Sequence, residues 1–452
     1  MNQPKPQPLQ TILNAFRNKR ILILGFGREG RSTYRLLRSC LPEADVSVAD
    51  ANRSLVDELA AQLPKDRLFL GPDYLEAIPR FELVMQSPGV CLKDVPPLPD
   101  SVCISSQTQL FLSAYRDQCI GVTGTKGKST TSSLIYHLLH ECGQPALFGG
   151  NIGLPLFELL PQITPETLLV LELSCHQLEF VRVSPRVAVL LNLFEEHLDH
   201  YRDYLAYQQA KYNIARHQRP GDVLVASAAD ERIAAWLERQ PPQSVLRLFG
   251  ERDVPDFMRS EAFPLKGAHN RLNALAALWA VQAVCPSVSR ERWQEALSSF
   301  RSLPHRLEYV GEVKGIRFYN DSISTIPQAA VAAVEAVGQV DTLLLGGMDR
   351  GIDYSPLREL FAHSEVRHFL FTGEAGRRMM ALTEPPEGKT FAFFKTYEEM
   401  VAAAFRLTAP GKVCLLSPAA PSYDAFKNFE ERGDVFKKLV LLQVSKPKED
   451  YA

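Results

Sequence analysis

Closely spaced cysteine pairs are missing from this 452-residue sequence. Its eight cysteines are scattered along the chain, and no two of them form a C-x-x-C pair. Several lie within apolar runs, which is typical of buried free thiols in a reducing compartment. The pattern argues against a zinc site or a disulfide framework and favours a cytoplasmic protein.

Long apolar runs and an excess of one charge are missing as well. Apolar stretches such as Val187 to Leu191 are too short to span a bilayer, and the formal net charge is only −2. Neither membrane insertion nor a nucleic-acid partner is therefore expected. The first nine residues are polar and proline-rich, without the pattern of a signal peptide, so we expect a flexible arm over 1–19.

The composition and the order of strand and helix patterns are those of a globular α/β protein. Apolar residues make up 46% of the chain and charged residues 23%. The length suggests about three domains, each with its own core. We place them at 20–108, 109–302 and 303–452, and we expect a Rossmann-like first domain, a doubly wound central domain and a Rossmann-like last domain.

A glycine-rich turn between a predicted strand and a predicted helix is the most informative motif. The strand covers 118–123, the turn reads GTKGKST from Gly124 to Thr130, and a helical pattern covers 131–140. Such glycines let backbone N–H groups surround an anion at a helix N-terminus. Lys128 is placed to reach phosphate oxygens and Ser129 to ligate Mg²⁺. A strict P-loop has glycine where Val122 stands, so this is a variant, and it predicts a nucleoside triphosphate site.

Acidic clusters follow two further predicted strands of the central segment. Glu172 lies near the end of the apolar run 168–173, and a cluster over 195–199 follows the run 187–193. Parallel strands of a doubly wound sheet present their carboxyl ends at the ligand-binding edge. The two clusters are therefore candidate Mg²⁺ ligands or neighbours of such ligands.

The first segment contains a Gly-x-Gly-x-x-Gly turn. The predicted strand 20–25 leads into Gly25, Gly27 and Gly30, and a second strand ends at Asp50 about 20 positions later. This spacing is typical of a mononucleotide-binding unit, although the motif alone is weak and does not identify the diphosphate that it holds. In the last segment, predicted strands at 316–319, 342–345 and 413–416 each end in a polar or glycine-rich turn.

Together these motifs resemble the Mur ligase family, and in particular its glutamate-adding branch. The resemblance covers roughly 20–442. Besides the P-loop variant, it is carried by SPG at 87–89, GNIGLP at 150–155, ELSCHQLE at 172–179, GAHNRLN at 267–273, LPHR at 303–306, NDS at 320–322 and the stretch 417–433. It implies an ATP-dependent ligase of peptidoglycan precursor synthesis, in which an acyl phosphate of UDP-N-acetylmuramoyl-L-alanine reacts with the amine of glutamate.

The resemblance also implies roles for individual residues around ATP. Lys128, Glu172, His197 and Lys211 would be catalytic. One Mg²⁺ would be bound by Ser129 and Glu172, and a second would be bound or supported by His197 and a carbamylated Lys211. The ATP-binding set would be Gly124, Thr125, Lys126, Gly127, Lys128, Ser129, Thr130, Asn151, Asn270, Asn273, Arg306 and Asp321.

For the other two substrates, the resemblance implies one site in the first domain and one in the last. The UDP-sugar would lie against Gly27, Arg28, Glu29, Gly30, Asp50, Arg53, Ser87, Pro88 and Gly89. Glutamate would lie against Thr325, Ser422 and Phe429. His269 and His305 would be structural neighbours, and the resemblance suggests a monomer.

Two positions depart from the family pattern. Lys126 stands where the family has asparagine, which adds a cation beside the expected phosphates. Ile323 stands where the family has a lysine that contacts the amino-acid substrate, and an isoleucine cannot pair with a carboxylate. D-glutamate is the first expectation, because most of the branch uses it. L-glutamate stays open, because the DSIST sequence at 321–325 resembles that of an L-glutamate-adding branch.

Three other hypotheses compete with this one. A folylpolyglutamate synthetase would share the ATPase and last domains but would lack the segment 20–90. An NAD-binding regulator or dehydrogenase would use the Gly-x-Gly-x-x-Gly turn but would not need a P-loop. A non-catalytic ATP-binding protein would be expected to lose Glu172, His197 or Lys211, and all three are present.

Overall fold

A computed structural model describes residues 7–152, 154–197, 200–260, 263–265, 267–300, 304–349, 351 and 353–443. The chain divides into two compact units. The first extends to residue 300 except for 264–267, and the second comprises those four residues and the chain from 301 onward. The first unit contains two sheets and the second contains one.

The first sheet is a five-stranded parallel sheet in the order β3-β2-β1-β4-β5. Its strands are Ile21–Leu24 (β1), Val46–Asp50 (β2), Leu68–Leu70 (β3), Leu83–Gln86 (β4) and Cys103–Ser105 (β5). Its helices are Pro8–Phe16 (α1), Arg28–Cys40 (α2) and Leu55–Leu59 (α3), and Gln107–Tyr115 (α4) leads to the next sheet. Because α2 begins directly after β1, its N-terminus lies at the carboxyl edge of the sheet.

The second sheet has six parallel strands in the order β11-β10-β9-β6-β8-β7. The strands are Cys119–Thr123 (β6), Ala146–Gly150 (β7), Leu168–Glu172 (β8), Val187–Leu190 (β9), Val223–Ser227 (β10) and Val245–Phe249 (β11). Its helices are Lys128–Glu141 (α5), Leu156–Leu159 (α6), Cys175–Leu178 (α7), Tyr204–Arg216 (α8), Glu231–Arg239 (α9), Asp256–Arg259 (α10), Ala268–Val284 (α11) and Arg290–Ser298 (α12). Apolar residues from this sheet and the first one form one continuous buried cluster.

The third sheet lies in the second unit and has the order β12-β13-β17-β14-β15-β16. The strands are Glu308–Val313 (β12), Ile316–Asn320 (β13), Val340–Gly346 (β14), His368–Thr372 (β15), Thr390–Phe393 (β16) and Val413–Leu416 (β17). Only β12 is antiparallel to its neighbour among the pairs described. The helices are Pro327–Val337 (α13), Leu357–His363 (α14), Gly373–Met380 (α15), Tyr397–Leu407 (α16) and Phe429–Leu442 (α17).

The predicted α/β fold with three parallel-rich sheets is confirmed, since each predicted segment contains one sheet. The residue bounds of the domains remain a prediction, because the first two sheets belong to one compact unit. The flexible arm expected over 1–19 is wrong for residues 8–16. Those residues form α1, which begins with a proline and buries Ile12 and Phe16 in the core. The described helices are all too short or too polar to cross a membrane.

Candidate active site

The loop from β6 to α5 is a tight anion-binding turn at the edge of the second sheet. Gly124 and Gly127 have φ of +155° and +86°, and Gly127 is the N-cap of α5. A Cβ added to Gly127 would lie 2.5 Å from Oδ1 of Asn273, on α11. Since neither glycine could take a side chain without strain or a clash, the backbone can keep its N–H groups close to a ligand.

Lys128 is partly buried in the first turn of α5, with its amine folded back over this loop. Its Nζ donates to the carbonyl oxygens of Gly124 and Thr125, at 3.0 Å each. Burial lowers the pKa of Lys128, while the nearby charges of Glu172 and Glu196 act in the opposite direction. Within the described part of the chain this amine forms no ion pair, so its positive charge is available for a phosphate.

Glu172 ends β8 beside this turn, and its side chain is 1% exposed. Its Oε1 accepts a hydrogen bond of 2.8 Å from Nδ2 of Asn151, while its Oε2 is buried and has no hydrogen-bond partner among the described residues. The backbone is held as well, because the N–H of Asn151 donates to the carbonyl oxygen of Glu172 at 2.9 Å. A buried carboxylate oxygen without a partner is costly unless a cation or a donor satisfies it.

Lys211, on α8, is the second lysine of the site, and unlike Lys128 it is fully buried, with 1% exposure. Its Nζ donates to the carbonyl oxygen of Gly124 at 2.9 Å and lies 4.9 Å from the centre of the Tyr207 ring. Burial first, and the charge of Lys128 second, lower the pKa of Lys211 to about 7. A substantial fraction of this amine is therefore neutral at physiological pH, as a nucleophilic amine must be.

His197 follows β9 on the other side of the turn. It has a φ of +60°, and its ring centre lies 4.8 Å from that of His176 and 6.1 Å from that of Tyr207. Its neighbour Glu196 forms an ion pair with Lys126, with 2.6 Å between Nζ and Oε1. The extra cation predicted at Lys126 is thus already paired with a carboxylate. Asp199, part of the predicted acidic cluster, lies outside the described residues.

A cavity of about 390 Å³ lies at the carboxyl edge of the first sheet. Seven of the nine residues predicted to hold the UDP-sugar line it, namely Gly27, Arg28, Glu29, Asp50, Ser87, Pro88 and Gly89. Gly30 and Arg53 are not in the lining. A Cβ on Gly30 would lie 2.1 Å from the carbonyl oxygen of Gly25, so this glycine permits close packing of helix on strand, while Arg53 lies against Gly71.

Residues of the second sheet close one side of the same cavity. Gly150, Asn151, Pro155 and Gln177 belong to its lining. Asn151 therefore contacts both the cavity and Glu172, and these two side chains link the cavity to the phosphate turn. The sequence motifs contained Asn151, but they did not indicate Gln177, which lies within the ELSCHQLE stretch and had no assigned role.

In the second unit, several polar side chains come together at the carboxyl ends of β13 and β17. Asp321 is buried and accepts hydrogen bonds from the hydroxyls of Ser324 and Ser417, at 2.5 and 2.8 Å. Burial raises the pKa of Asp321 to about 6. His305 is buried beside Asn320, with 3.0 Å between Nδ1 and Nδ2. The role of His305 as a structural neighbour stays a prediction.

Arg432, on α17, organises the loops around the predicted glutamate pocket. Its Nε and Nη2 donate to Oγ and O of Ser322 at 3.0 and 2.8 Å, and its Nη1 donates to the carbonyl oxygen of Ala420 at 3.0 Å. The hydroxyl of Ser322 in turn donates to the carbonyl oxygen of Phe429 at 2.8 Å. Arg432 lies in the stretch 417–433 that carries the family resemblance, but no role was predicted for it, because helix periodicity cannot distinguish a buried arginine from a surface one.

Comparison with known proteins agrees with this arrangement. Residues 122–261 match the model described as the Mur ligase middle domain, and residues 305–420 match the Mur ligase glutamate ligase domain. The UDP-N-acetylmuramoyl-L-alanine–L-glutamate ligase of Salinispora tropica is 35% identical over 95% of this chain and 98% of its own. The UDP-N-acetylmuramoylalanine–D-glutamate ligase of Geotalea uraniireducens is 35% identical over 94% and 97%. The chain belongs to the Mur ligase family.

The Mur ligase fold is also seen in solved structures. The MurF ligase of Thermotoga maritima, determined in complex with ADP, covers 93% of this chain and 95% of its own, with a TM-score of 0.56 and 16% identity. The UDP-N-acetylmuramate–alanine ligase MurC of the same organism covers 95% and 100%, with a TM-score of 0.52 and 18% identity. At these identities the likeness supports the fold and not the substrate.

The described residues of this Mur ligase can be tested for a fit to Mg²⁺. The unpartnered Oε2 of Glu172 is the kind of hard oxygen donor that Mg²⁺ prefers, and Ser129 is buried in the first turn of α5. Within the described residues no group of three His, Cys, Asp or Glu side chains is arranged to hold a metal. Such a group is not required, because Mg²⁺ is commonly bound by one or two carboxylates together with water and substrate phosphates.

Proposed function

We propose that the chain is an ATP-dependent ligase that joins glutamate to the alanine carboxyl of UDP-N-acetylmuramoyl-L-alanine. The carboxylate would attack the γ-phosphate of ATP, giving an acyl phosphate and ADP. The glutamate amine would then attack the acyl carbon, and phosphate would leave from the tetrahedral intermediate. The family membership and the names of relatives of both stereochemical kinds support this assignment.

One observation carries the proposal. Asn151 lines the cavity of the first sheet and donates to Glu172, which ends β8 beside the phosphate turn, so these two side chains would link the two predicted substrates. Transfer of a phosphoryl group to a carboxylate brings anions together, and most of the barrier is lowered by positioning and by cations. The turn and Lys128 would hold the triphosphate, while the cavity would hold the UDP-sugar with its carboxyl group directed toward Asn151.

The metal and the modified lysine belong to this proposal. Ser129 and Glu172 would hold one Mg²⁺, and His197 with a carbamylated Lys211 would hold or support a second. When bound, Mg²⁺ would neutralise charge on the phosphates. As an ammonium group Lys211 cannot be a metal ligand. Its lowered pKa favours the neutral amine that reacts with CO₂, and the carbamate formed would provide oxygen donors for the metal.

The remaining proposals assign one substrate site to the segment around each of the three sheets. Residues 20–108 would bind UDP, residues 109–302 ATP, and residues 303–452 glutamate and part of ATP. Asn270, Asn273, Arg306 and Asp321 would lie near the nucleotide, and Thr325, Ser422 and Phe429 near glutamate. We also propose that the enzyme is cytoplasmic, where its nucleotide substrates are made, and that it acts as a monomer.

D-glutamate is the first candidate for the amino acid, and a specific observation favours L-glutamate as the second. Ile323 removes the lysine with which the family contacts its amino acid, and relatives of both specificities are 35% identical to this chain. An apolar side chain cannot form the ion pair with a carboxylate, so the way in which glutamate is held must differ at this position.

The test measures phosphate release by purified protein with UDP-N-acetylmuramoyl-L-alanine, ATP and Mg²⁺, adding D-glutamate, L-glutamate or another amino acid. Release that depends on glutamate is expected, and mass spectrometry of the product should show one added glutamate residue. Release with L-glutamate alone would change the stereochemical assignment but keep the reaction. Absence of release with both enantiomers would contradict the proposed function.

A further inference from the structure

A partly buried acidic side chain lines the cavity at the point where a diphosphate is expected. Glu29 lies in the first turn of α2, next to Arg28, at the positive end of that helix. An ionised carboxylate here would repel a bound diphosphate, since two anions in a poorly solvated site destabilise each other. The site therefore needs an arrangement that removes this repulsion.

The hydrogen bonds around Glu29 show where a proton can be held. Oε1 of Gln177 accepts from the N–H of Ser174 at 3.0 Å, which fixes its amide so that Nε2 donates to Oε1 of Glu29 at 2.7 Å. Oε1 of Glu29 is thus an acceptor. Its Oε2 is buried and has no hydrogen-bond partner among the described residues, so a proton on Oε2 would find its acceptor in a ligand.

The groups that surround Glu29 are compatible with a protonated, neutral Glu29 side chain near pH 7. Gln107 of α4 and Gln177 of α7 contact Glu29 with uncharged amide groups. Arg28 is the cation next to Glu29. The other titratable groups of the cavity are Asp50, whose oxygens accept from two backbone N–H groups, and Tyr74. Burial outweighs Gln177 and Arg28 and raises the pKa of Glu29 to about 7.

We propose that Glu29 binds the UDP-sugar as a neutral carboxylic acid, with Oε2–H donating a hydrogen bond to a diphosphate oxygen. This inference rests on the proposed function, since it assumes a UDP-sugar in the cavity. It makes Glu29 a specificity-determining residue that accepts an esterified diphosphate only while it carries a proton. A bound anion favours the neutral form further, so binding takes up a proton from solution above pH 7.

The experiment is titration calorimetry of the full-length protein with UDP-N-acetylmuramoyl-L-alanine between pH 6 and 8.5, in buffers of different ionisation enthalpy. For the natural protein, Kd should be nearly constant below pH 7 and should rise toward about tenfold per pH unit above it, with proton uptake at pH 8. The Glu29→Gln side chain still offers an acceptor to Gln177 and a donor to the ligand, but it does not ionise in this pH range. Its Kd should lose this pH dependence and its proton uptake.

Matched variants and outcomes make the result decisive. Glu29→Ala should also lose the pH dependence but bind more weakly than Glu29→Gln at every pH, because it has no donor. A Kd for the natural protein that is flat to pH 8.5, or a Glu29→Gln variant that keeps the slope and the proton uptake, would overturn the inference. Thermal unfolding at each pH verifies that the variants are folded.

The outcome also separates this inference from the proposed function. If the natural protein releases phosphate with glutamate at pH 6.5 but shows no proton uptake on binding, only the role of Glu29 is wrong. If it neither binds the UDP-sugar nor releases phosphate, both fail.

Discussion

Lys128 and Lys211 donate hydrogen bonds to the same acceptor, the carbonyl oxygen of Gly124, at 3.0 and 2.9 Å. Two amines that share one acceptor oxygen repel each other when both are charged, and the charge of Lys128 contributes to the lowered pKa of Lys211. The two lysines can therefore divide their tasks, with Lys128 as the cation for phosphate and Lys211 as the amine that loses its proton.

The first prediction concerns Lys128. Lys128→Ala removes the positive charge that is expected to contact the phosphates of ATP. Turnover should therefore fall by about 10²–10³-fold or more, with the fold intact. Lys65→Ala is the matched control, because Lys65 is exposed and belongs to none of the predicted binding sites. Phosphate release and circular dichroism measure both effects. Undiminished turnover in Lys128→Ala would remove this lysine from its assigned role.

The second prediction concerns carbamylation of Lys211. Because its pKa is lowered to about 7, the neutral amine is the main form at pH 8 and can add CO₂. With ¹³C-labelled bicarbonate, NMR should show a carbamate carbon at pH 8, a weaker signal at pH 6 and none in Lys211→Arg, whose guanidinium stays charged. Turnover at low CO₂ should rise on addition of bicarbonate. An identical spectrum for the natural protein and Lys211→Arg would contradict the prediction.

The third prediction concerns the unpartnered oxygen of Glu172. Glu172→Gln removes a buried negative charge, so without Mg²⁺ and ATP the variant should unfold at a higher temperature than the natural protein. The same change should abolish the further stabilisation by Mg²⁺ with ATP and reduce turnover severely. Thermal unfolding with and without Mg²⁺ and ATP measures both. Equal stabilisation of the two proteins by Mg²⁺ with ATP would argue against Glu172 as a ligand.

Much of the fold could be predicted from the sequence because buried parallel strands are short apolar runs that end in polar turns. The strand β17 has the predicted bounds, and β2 ends at Asp50 as predicted. The partly buried strands β3, β5, β7 and β11 were missed. The first two have only three residues each, and glycines in β7 and Arg247 in β11 interrupt the apolar runs. Helix α5 begins at Lys128, three residues before the predicted start, because its first turn is polar and belongs to the phosphate loop.

The site was predictable where a backbone motif marks it and not where side chains meet through the fold. Glycine turns and strand ends led to Lys128 and Glu172. The sequence could not indicate that Gln177 bonds to Glu29 or that Lys126 pairs with Glu196, because these partners lie 148 and 70 residues apart. Such pairs follow from the order of strands in the sheets, which local patterns do not contain.

The fourth prediction concerns Arg432. Arg432→Lys keeps a positive charge but cannot donate to Ser322 and Ala420 in the same planar geometry. Because the affected loops carry the predicted glutamate pocket, KM for glutamate should rise by about tenfold or more, while KM for ATP should change much less. Steady-state kinetics with each substrate varied measures this difference. An equal rise in both values, or a loss of cooperative unfolding, would indicate a structural role alone.

The last prediction concerns the enantiomer of glutamate and the side chain of Ile323. Ile323 is partly buried, and its backbone N–H donates to the carbonyl oxygen of His305 at 3.1 Å, so its place in the loop does not depend on its side chain. Ile323→Lys restores an ammonium group at the position where the family pairs with the amino acid. The ratio of kcat/KM for D-glutamate to that for L-glutamate should therefore rise by about tenfold, which corresponds to about 1.4 kcal/mol of discrimination.

Ile323→Met is the matched control, because methionine has a similar volume and no charge. It should leave the ratio near that of the natural protein, and both variants should unfold at similar temperatures. If the two variants shift the ratio equally, the shape of the side chain and not its charge selects the enantiomer. If Ile323→Lys lowers the ratio, the lysine does not meet the amino acid in the way that the family pattern implies, and glutamate is held by other groups of the pocket.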